Sequence, residues 1–376
     1  MLIIPACGEV EDFLVQLMQH QQHTKVLVVM VVNRPKGHTN SVQWRTENDV
    51  LLLHLSMQYT EIIDLPTGHR LLTVSKTDNC QYDVLLLDFN TQAFDPNKGV
   101  GLARRIAADT ALFLIEQKTI KTAWIFSTDA DVVLPTGYFE VVEAVPAKSS
   151  ALSLCFVHIT GYSNQENLQY QYDFKLKYYQ MAVRFIGAAY DYIPLGSTLI
   201  VAANCYAQVR GFPCRSGGED FYILNKLAKL GSIYQPQQPV IEIQSRFSDR
   251  VPFGTGPAIS KIQQQQNEGE VITYYHPQIF HVLKSWRLTI EAYYDTQQLP
   301  KDDRGLNKHW ELDAVLQQAM SQIKSTDRWQ QFVHEWFDAF KILKSVHFLR
   351  KEYESISMNN LLESHAYKEI LDVNDF

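Results

Sequence analysis

The stretch Trp124–Pro135, WIFSTDADVVLP, ends an apolar run in two carboxylates that are separated by one residue, Asp129 and Asp131. Successive side chains along an extended backbone point in opposite directions, so residues i and i+2 face the same side. Both carboxylates are therefore expected to meet one ligand at the end of a strand. Two oxygen donors that leave coordination positions open suit Mg²⁺ or Mn²⁺ carrying a diphosphate. The alternative is a plain turn, because Asp is favoured at strand ends for backbone reasons.

The composition is that of a globular chain with a modest acidic excess. Its 376 residues are 46% hydrophobic and 20% charged, and the formal net charge is −7. That length fits one large domain with an extension, or two domains. Scattered basic residues in an acidic chain do not favour nucleic acid as a partner, because nucleic-acid binding depends on clustered Lys and Arg.

Cysteine usage and hydropathy bear on the compartment. The five cysteines are odd in number, and their spacings contain neither C-x-x-C nor a metal-ligand pattern. A reduced, cytoplasmic compartment is the simplest interpretation. No apolar run approaches the roughly 20 residues of a membrane-spanning helix, and no basic segment precedes the first apolar strand. We therefore expect no transmembrane segment and no signal peptide, while peripheral contact with a membrane is left open.

Strand-like and helical patterns alternate through the first two-thirds of the chain. Val26–Val32 is a continuous apolar run, typical of a parallel strand covered on both faces, and Gly101–Gln117 has the spacing of an amphipathic helix. This alternation predicts an α/β fold with a mostly parallel sheet flanked by helices. Ligands of such sheets lie at the carboxyl ends of the strands, where Pro5–Glu9, Asn33 and Asp129–Asp131 fall.

Two glycine-containing segments each open a helical pattern. Lys98–Arg104, KGVGLAR, has glycines that let backbone N–H groups approach an anion, and its two end residues add positive charge. An exposed helix charge is the alternative for Arg104, given the usual surface preference of arginine. Gly217–Asp220, GGED, places two acids at a helix start. One acid is explained by capping, and the other is suited to take the proton of an attacking hydroxyl.

Five motifs, in this order and spacing, resemble the family 2 glycosyltransferases of the GT-A fold. The resemblance covers about residues 2–260, and its specific part is the ordered pair of a D-x-D and a later E-D. The motifs are I-P-A-x-G-E (Ile4–Glu9), V-V-N-R-P (Val31–Pro35), K-G-V-G-L-A-R (Lys98–Arg104), S-T-D-A-D (Ser127–Asp131) and G-G-E-D (Gly217–Asp220).

The resemblance implies a metal-dependent hexosyltransferase that uses Mn²⁺ or Mg²⁺ and takes its sugar from a nucleotide-diphosphate donor. Asp129 and Asp131 match the D-x-D that binds the metal and the donor diphosphate. Asp220 matches the acceptor base of inverting members, with Glu219 beside it. A third metal ligand is expected from a later residue such as His276, for which a structural histidine is the alternative. The residues that the resemblance places at the donor are Pro5, Ala6, Glu9, Asn33, Lys98, Gly101, Arg104 and Asp129.

Segments outside the five motifs suggest two further features. Ser245–Arg250 and Gly254–Gly256 form a polar loop with two arginines. It is expected to close over the diphosphate or to grip a charged acceptor, with a surface turn as the alternative. Further along, helical patterns rich in Trp, Phe and Leu predict a helical extension. The predicted division is thus a nucleotide-sugar-binding and catalytic domain, 1–260, and a mainly α-helical extension, 261–376.

Four other functions stay open at this point. A retaining GT-A transferase would use similar motifs and act on a small acid such as glycerate. A sugar nucleotidyltransferase would carry its glycine-rich loop directly after the first strand, whereas Gly99–Arg104 comes far later. A silent carbohydrate- or nucleotide-binding protein would bind the nucleotide without turnover. A glycoside hydrolase also uses two carboxylates but has no need of a metal site for a diphosphate. The acceptor, a saccharide or a small molecule, is not identified by the sequence.

Overall fold

The computed structural model describes residues 1–10, 12–21, 25–59, 61–65, 69–73, 82–161, 163–248, 250–252, 254–301 and 304–373. The chain divides into two compact units. One unit consists of Met1–Gln169 and Pro194–Ser260, and the other of Tyr170–Ile193 and Lys261–Phe376. The predicted assignment of 1–260 as a catalytic domain and of 261–376 as its extension stays a prediction.

The first unit contains most of the strands. In chain order they are β1 (Leu2–Ala6), β2 (Val26–Val32), β3 (Glu61–Asp64), β4 (Arg70–Thr73), β5 (Tyr82–Asp88), β6 (Trp124–Ser127), β7 (Val132–Val133), β8 (Ser149–Ser153), β9 (Cys155–Ile159), β10 (Leu199–Ala202), β11 (Ser232–Tyr234) and β12 (Val240–Gln244). Within the described residues, nine of them form one sheet in the order β11-β8-β10-β6-β1-β2-β5-β4-β3. A smaller sheet has the order β7-β12-β9.

The centre of the large sheet is parallel. The strands β6, β1, β2 and β5 pair in parallel, whereas β10 and the β3–β4 hairpin add antiparallel pairs on the two sides. The predicted strand Val26–Val32 is β2, and all but one of its residues are buried, as expected for a strand covered on both faces. The predicted α/β fold with a large sheet flanked by helices is confirmed.

Helices alternate with these strands along the chain. The helices that begin within residues 1–260 are α1 (Phe13–Met18), α2 (Ser41–Gln58), α3 (Gly99–Glu116), α4 (Ser163–Ile186), α5 (Ala203–Gln208), α6 (Glu219–Leu227) and α7 (Thr255–Asn267), with short 3₁₀ helices at Glu140–Ala144 and Gly196–Thr198. The predicted amphipathic helix is α3, which packs against β1 and β2. Its buried face is mostly glycine and alanine, which lets the helix backbone lie close to the sheet.

The second unit is mainly helical and confirms the predicted helical C-terminal region. Its remaining elements are β13 (Thr273–Tyr274), α8 (Gln278–Thr296), α9 (Leu306–His309), α10 (Leu312–Gln322), α11 (Thr326–Trp336), α12 (Ala339–Leu349), β14 (Ile356–Ser357), α13 (Met358–Glu363) and α14 (His365–Asp372). Trp329 is fully buried there, and its Nε1 donates to the carbonyl oxygen of Ile290 at 3.1 Å. In the part of the chain that the structure describes, no helix combines the length and the apolar character needed to cross a bilayer.

Candidate functional site

A cavity of about 250 Å³ lies in the first unit, at the carboxyl ends of the central strands. The strands β1, β2 and β6 run parallel, so the residues that follow them meet at one edge of the sheet. The predicted site residues that line the cavity are Pro5, Glu9, Asn33, Arg104, Asp129, Asp131, Glu219 and Asp220. The fold therefore brings the strand-end carboxylates and the acids of α6 into one cavity.

Arg104 lies buried between two of these carboxylates. Its Nη2 donates to Oδ1 of Asp129 at 2.7 Å, and its Nε donates to Oε1 of Glu219 at 2.9 Å. Its Nη1 donates to Oγ of Ser127 at 2.7 Å and to the carbonyl oxygen of Gly196 at 3.1 Å. Only 2% of this residue is exposed, so the alternative of a solvated helix charge is wrong. Burial disfavours the guanidinium charge, but Asp129 and Glu219 raise the pKa of Arg104 above its ordinary value.

A second group of ion pairs holds Asp131. The Nε of Arg246 lies 2.9 Å from Oδ2 of Asp131, and the two terminal nitrogens of Arg246 donate to Glu9 at 2.8 and 3.0 Å. Arg250 also pairs with Glu9 and donates to the carbonyl oxygen of Gly8 at 2.7 Å. Burial raises the pKa of Asp131 to about 6, and the charge of Arg246 opposes that rise. Each aspartate of the D-x-D is thus paired with its own arginine.

Asp220 lies in the first turn of α6, as the G-G-E-D motif predicts. Gly218 precedes this helix with φ 71°, a left-handed conformation that glycine adopts without strain. Oδ1 of Asp220 accepts a hydrogen bond from the backbone N–H of Phe221 at 2.7 Å. Burial raises the pKa of Asp220 to about 7, the charge of Glu219 adds to the rise, and the Phe221 N–H opposes it. Desolvation therefore outweighs the preference of a helix N-terminus for ionised acids.

Asn33 belongs to a buried amide network at the wall of the cavity. Its Nδ2 donates to the backbone carbonyl oxygen of Ala6 at 3.3 Å. The backbone carbonyl oxygen of Asn33 accepts from Nδ2 of Asn48 at 3.0 Å. Asn48 in turn accepts from the backbone N–H of Gly8 at 2.8 Å. These bonds tie the loop after β1 to the end of β2. The sequence interpretation missed Asn48, although it shares the helical spacing of the buried residues Trp44 and Leu51 on α2.

Four predicted site residues do not line the cavity. Lys98 is exposed, and Ala6 is buried, with its carbonyl oxygen accepting from the backbone N–H of Asn33 at 2.9 Å. Gly101 lies where α3 meets the loop that contains Arg215, whose carbonyl oxygen accepts from the Gly101 N–H at 2.9 Å. His276 belongs to the second unit. A donor-binding or metal-binding role for these four residues stays a prediction.

Gly101 allows a close backbone approach, and this gives a test of the packing beside the site. A Cβ at position 101 would lie 2.4 Å from the carbonyl oxygen of Pro213 and 2.7 Å from the backbone nitrogen of Arg215. We expect Gly101→Ala to lower the free energy of unfolding by about 2 kcal/mol, since overpacking outweighs the better helix propensity of alanine. Urea denaturation measures this. Gly161→Ala is the control, because no atom lies within 4 Å of its added Cβ.

A divalent ion would have to draw further ligands from outside the protein side chains. Among the described residues, no group of three or more His, Cys, Asp or Glu side chains is placed to hold a metal ion. Nδ1 of His276 accepts a hydrogen bond from the backbone N–H of Gln278 at 3.1 Å. A metal-binding role for Asp129 and Asp131, which both line the cavity, stays a prediction.

The roles of Arg246 and Arg250 were only partly visible in the sequence. The sequence predicts that the loop containing them closes over a diphosphate or grips a charged acceptor, and both arginines line the cavity. Their pairing with Glu9 was missed, because more than 230 positions separate these residues in the chain. Asp249, in the same loop, lies outside the described residues.

Comparison with known proteins gives remote structural likenesses. No protein-family model and no curated protein sequence matches this chain. Residues 1–349 of S. aureus TarS in complex with UDP-GlcNAc show 12% identity over 99% of this chain and 88% of that chain, with a TM-score of 0.38. The mannosyltransferase PcManGT from Pyrobaculum calidifontis, in complex with GDP-Man and Mn²⁺, shows 13% identity over 93% of this chain and 86% of that chain, with a TM-score of 0.40. GalNAc-T7 with UDP, GalNAc and Mn²⁺ shows 10% identity over 94% of this chain and 57% of that chain, with a TM-score of 0.38.

Proposed function

We propose that this chain is a glycosyltransferase of the GT-A type, similar to family 2. It would move a sugar from a nucleotide-diphosphate donor to an acceptor hydroxyl with inversion. The observation that carries the proposal is the cavity itself, which is lined by Asp129 and Asp131 at the end of β6 and by Asp220 at the start of α6. A diphosphate site and a general base are the two functions that such a transfer requires.

The charge balance of the cavity supports a divalent cation on the D-x-D. Five carboxylates and three guanidinium groups line it: Glu9, Asp129, Asp131, Glu219, Asp220, Arg104, Arg246 and Arg250. An excess of carboxylates repels a diphosphate unless a cation is bound with it. Arg104 contacts one oxygen of Asp129, which leaves the other oxygen of that carboxylate for a cation. Bound there, Mn²⁺ or Mg²⁺ would neutralise the charge of the leaving nucleoside diphosphate.

Asp220 is the proposed base for the acceptor hydroxyl. A base works best when its pKa lies near the working pH, and the pKa of Asp220 is raised to about 7 by burial and by Glu219. Glu219 is not proposed as a base, because its carboxylate is paired with Arg104 at 2.9 Å. It serves to keep Asp220 basic. The proposed donor contacts within the cavity are Pro5 and Asn33, on the nucleoside side.

Thermal-shift measurements test the donor site directly. The chain is mixed with UDP, GDP, CDP, ADP or dTDP, each with and without Mn²⁺. One nucleotide at about 100 times its Kd is expected to stabilise the fold by about 2.7 kcal/mol, and only with the metal present. Asp131→Asn should remove this stabilisation. Asp83→Asn, which changes an exposed aspartate of β5 outside the cavity, should keep it.

The proposal fails if no nucleoside diphosphate stabilises the chain with Mn²⁺ present. It also fails if stabilisation persists unchanged in Asp131→Asn, because the diphosphate site would then lie elsewhere. A nucleotide that binds with the metal but whose sugar derivative is never cleaved would indicate a silent binding protein.

A further inference from the structure

The ion pair between Arg246 and Asp131 places a guanidinium where a metal ion would have to bind. The Nε of Arg246 lies 2.9 Å from Oδ2 of Asp131, one of the two proposed metal ligands. A divalent cation that approaches Asp131 is repelled by this fixed positive charge. Metal binding to Asp131 and the Arg246 ion pair therefore compete for the same carboxylate.

Glu9 keeps Arg246 in the cavity when that contact is lost. Both terminal nitrogens of Arg246 donate to Glu9, at 2.8 and 3.0 Å, and the Glu9 side chain is only 6% exposed. Such a bidentate pair fixes the plane of the guanidinium and is stronger than a single contact. The Nε–Asp131 contact can therefore be exchanged while the anchor to Glu9 remains. The Nε then becomes a donor for another anion in the same cavity.

We infer that Arg246 is a diphosphate-binding residue which a divalent metal must first displace from Asp131, so that metal and diphosphate bind cooperatively. The inference rests on the proposed function, because it takes Asp131 as a metal ligand. Metal alone would bind weakly, since it loses the Arg246 ion pair and gains no anion in return. Metal together with a diphosphate would bind tightly, since the released Nε donates to a phosphate oxygen. Cooperativity of this kind is reciprocal between the two ligands.

The loop offers a matched comparison at Arg250. Arg250 shares the Glu9 partner and lines the same cavity, but its contacts run to Glu9 and to the carbonyl oxygen of Gly8. Either arginine can be removed while the other still neutralises Glu9. Arg246→Gln and Arg250→Gln thus both delete one positive charge from the cavity, and only the first releases Asp131. Unfolding midpoints without ligand check that both variants are folded.

The test is a Mn²⁺ titration of the full chain, followed by electron paramagnetic resonance, which detects the free ion. Arg246→Gln is expected to bind Mn²⁺ alone roughly tenfold more tightly than the wild type, because the competing charge is gone. Arg250→Gln should stay within about twofold of the wild type. With Mn²⁺ present, inorganic pyrophosphate should bind Arg246→Gln roughly tenfold more weakly, because a charge-assisted hydrogen bond is lost. The opposite signs of the two effects distinguish exchange from general damage to the site.

Asp131→Asn separates the two proposals. Weaker Mn²⁺ binding in Asp131→Asn, combined with unchanged or weaker Mn²⁺ binding in Arg246→Gln, would overturn the exchange and leave the proposed function standing. Unchanged Mn²⁺ binding in Asp131→Asn would overturn both, because the ion would not use this carboxylate. Arg70→Gln removes an exposed arginine that is paired with Asp64 outside the cavity, and it should match the wild type throughout.

Discussion

Replacing Asp220 by asparagine is expected to lower kcat by about 10²–10⁴-fold and to leave nucleoside diphosphate binding unchanged, because a general base contributes to the chemical step. Asparagine retains the oxygen that accepts from the Phe221 N–H, so the start of α6 should keep its geometry. The assay follows release of the nucleoside diphosphate that thermal shift identifies, with its sugar derivatives supplied as donors. Asp83→Asn is the control, since Asp83 is an exposed aspartate of the same unit.

The same carboxylate sets the pH dependence of turnover. Asp220 must be ionised to accept a proton, and its pKa is raised to about 7 by burial and by Glu219. Activity should therefore be lost as the pH falls below about 7 and should level off above it. Glu219→Gln removes a negative charge that raises this pKa, so the acid limb of the profile should move to lower pH. A profile that keeps its midpoint in Glu219→Gln, or an Asp220→Asn variant with wild-type kcat, would exclude Asp220 as the base.

Asp220 also costs stability at the pH where it works. The pKa of this carboxyl is higher in the folded chain than its ordinary value of 3.8, so the folded state binds the proton more tightly. Stability is therefore lost as the pH rises from about 4 to about 7, and the loss is complete above that range. Asp220→Asn removes the desolvated charge and should be more stable than the wild type by about 2–4 kcal/mol at pH 8. The two proteins should match near pH 4.

The sequence was most informative where an element is buried on both faces. The strands β1, β2 and β6 are short apolar runs, and each ends in the polar residues that line the cavity, so strand and site could be predicted together. The helix α2 could not be predicted from periodicity. Its apolar residues lie on both faces, since Val42 is 79% exposed whereas Leu51 is fully buried. The helix is held by packing of its buried residues on the sheet, and its sequence has no clear amphipathic pattern.

The ion-pair partners of the site's carboxylates were harder to predict than the carboxylates themselves. The D-x-D and the E-D acids are local motifs, and each was found within its own segment. The partners of these acids come from distant parts of the chain: Arg104 and Glu219 are 115 positions apart, and Arg246 and Glu9 are 237 positions apart. The sequence does not distinguish an arginine on the surface from a buried one. Only the fold shows that Arg104 lies between two carboxylates.

Arg104→Met is expected to lower the free energy of unfolding by about 3–5 kcal/mol, the largest stability effect that we predict, because it leaves the buried carboxylate of Glu219 without its counter-charge. The side chains of Arg104 and Glu219 are only 3% and 4% exposed, so water cannot replace the lost partner. Arg105→Met is the matched control on the same helix. The Arg105 side chain is 38% exposed and pairs with an exposed aspartate one turn away, so its loss should cost less than about 1 kcal/mol.

A double variant decides whether the loss arises from charge or from shape. If the uncompensated charge of Glu219 causes the instability, Arg104→Met combined with Glu219→Gln should recover about 1–3 kcal/mol relative to Arg104→Met alone, since a neutral amide is cheaper to bury than a carboxylate. If lost packing is the cause, the two substitutions should add, and the double variant should be the least stable of the set. Urea denaturation at pH 8 distinguishes the two results. The recovery should remain partial, because Asp129 also loses the 2.7 Å contact with Arg104, although its side chain is 32% exposed and can be hydrated.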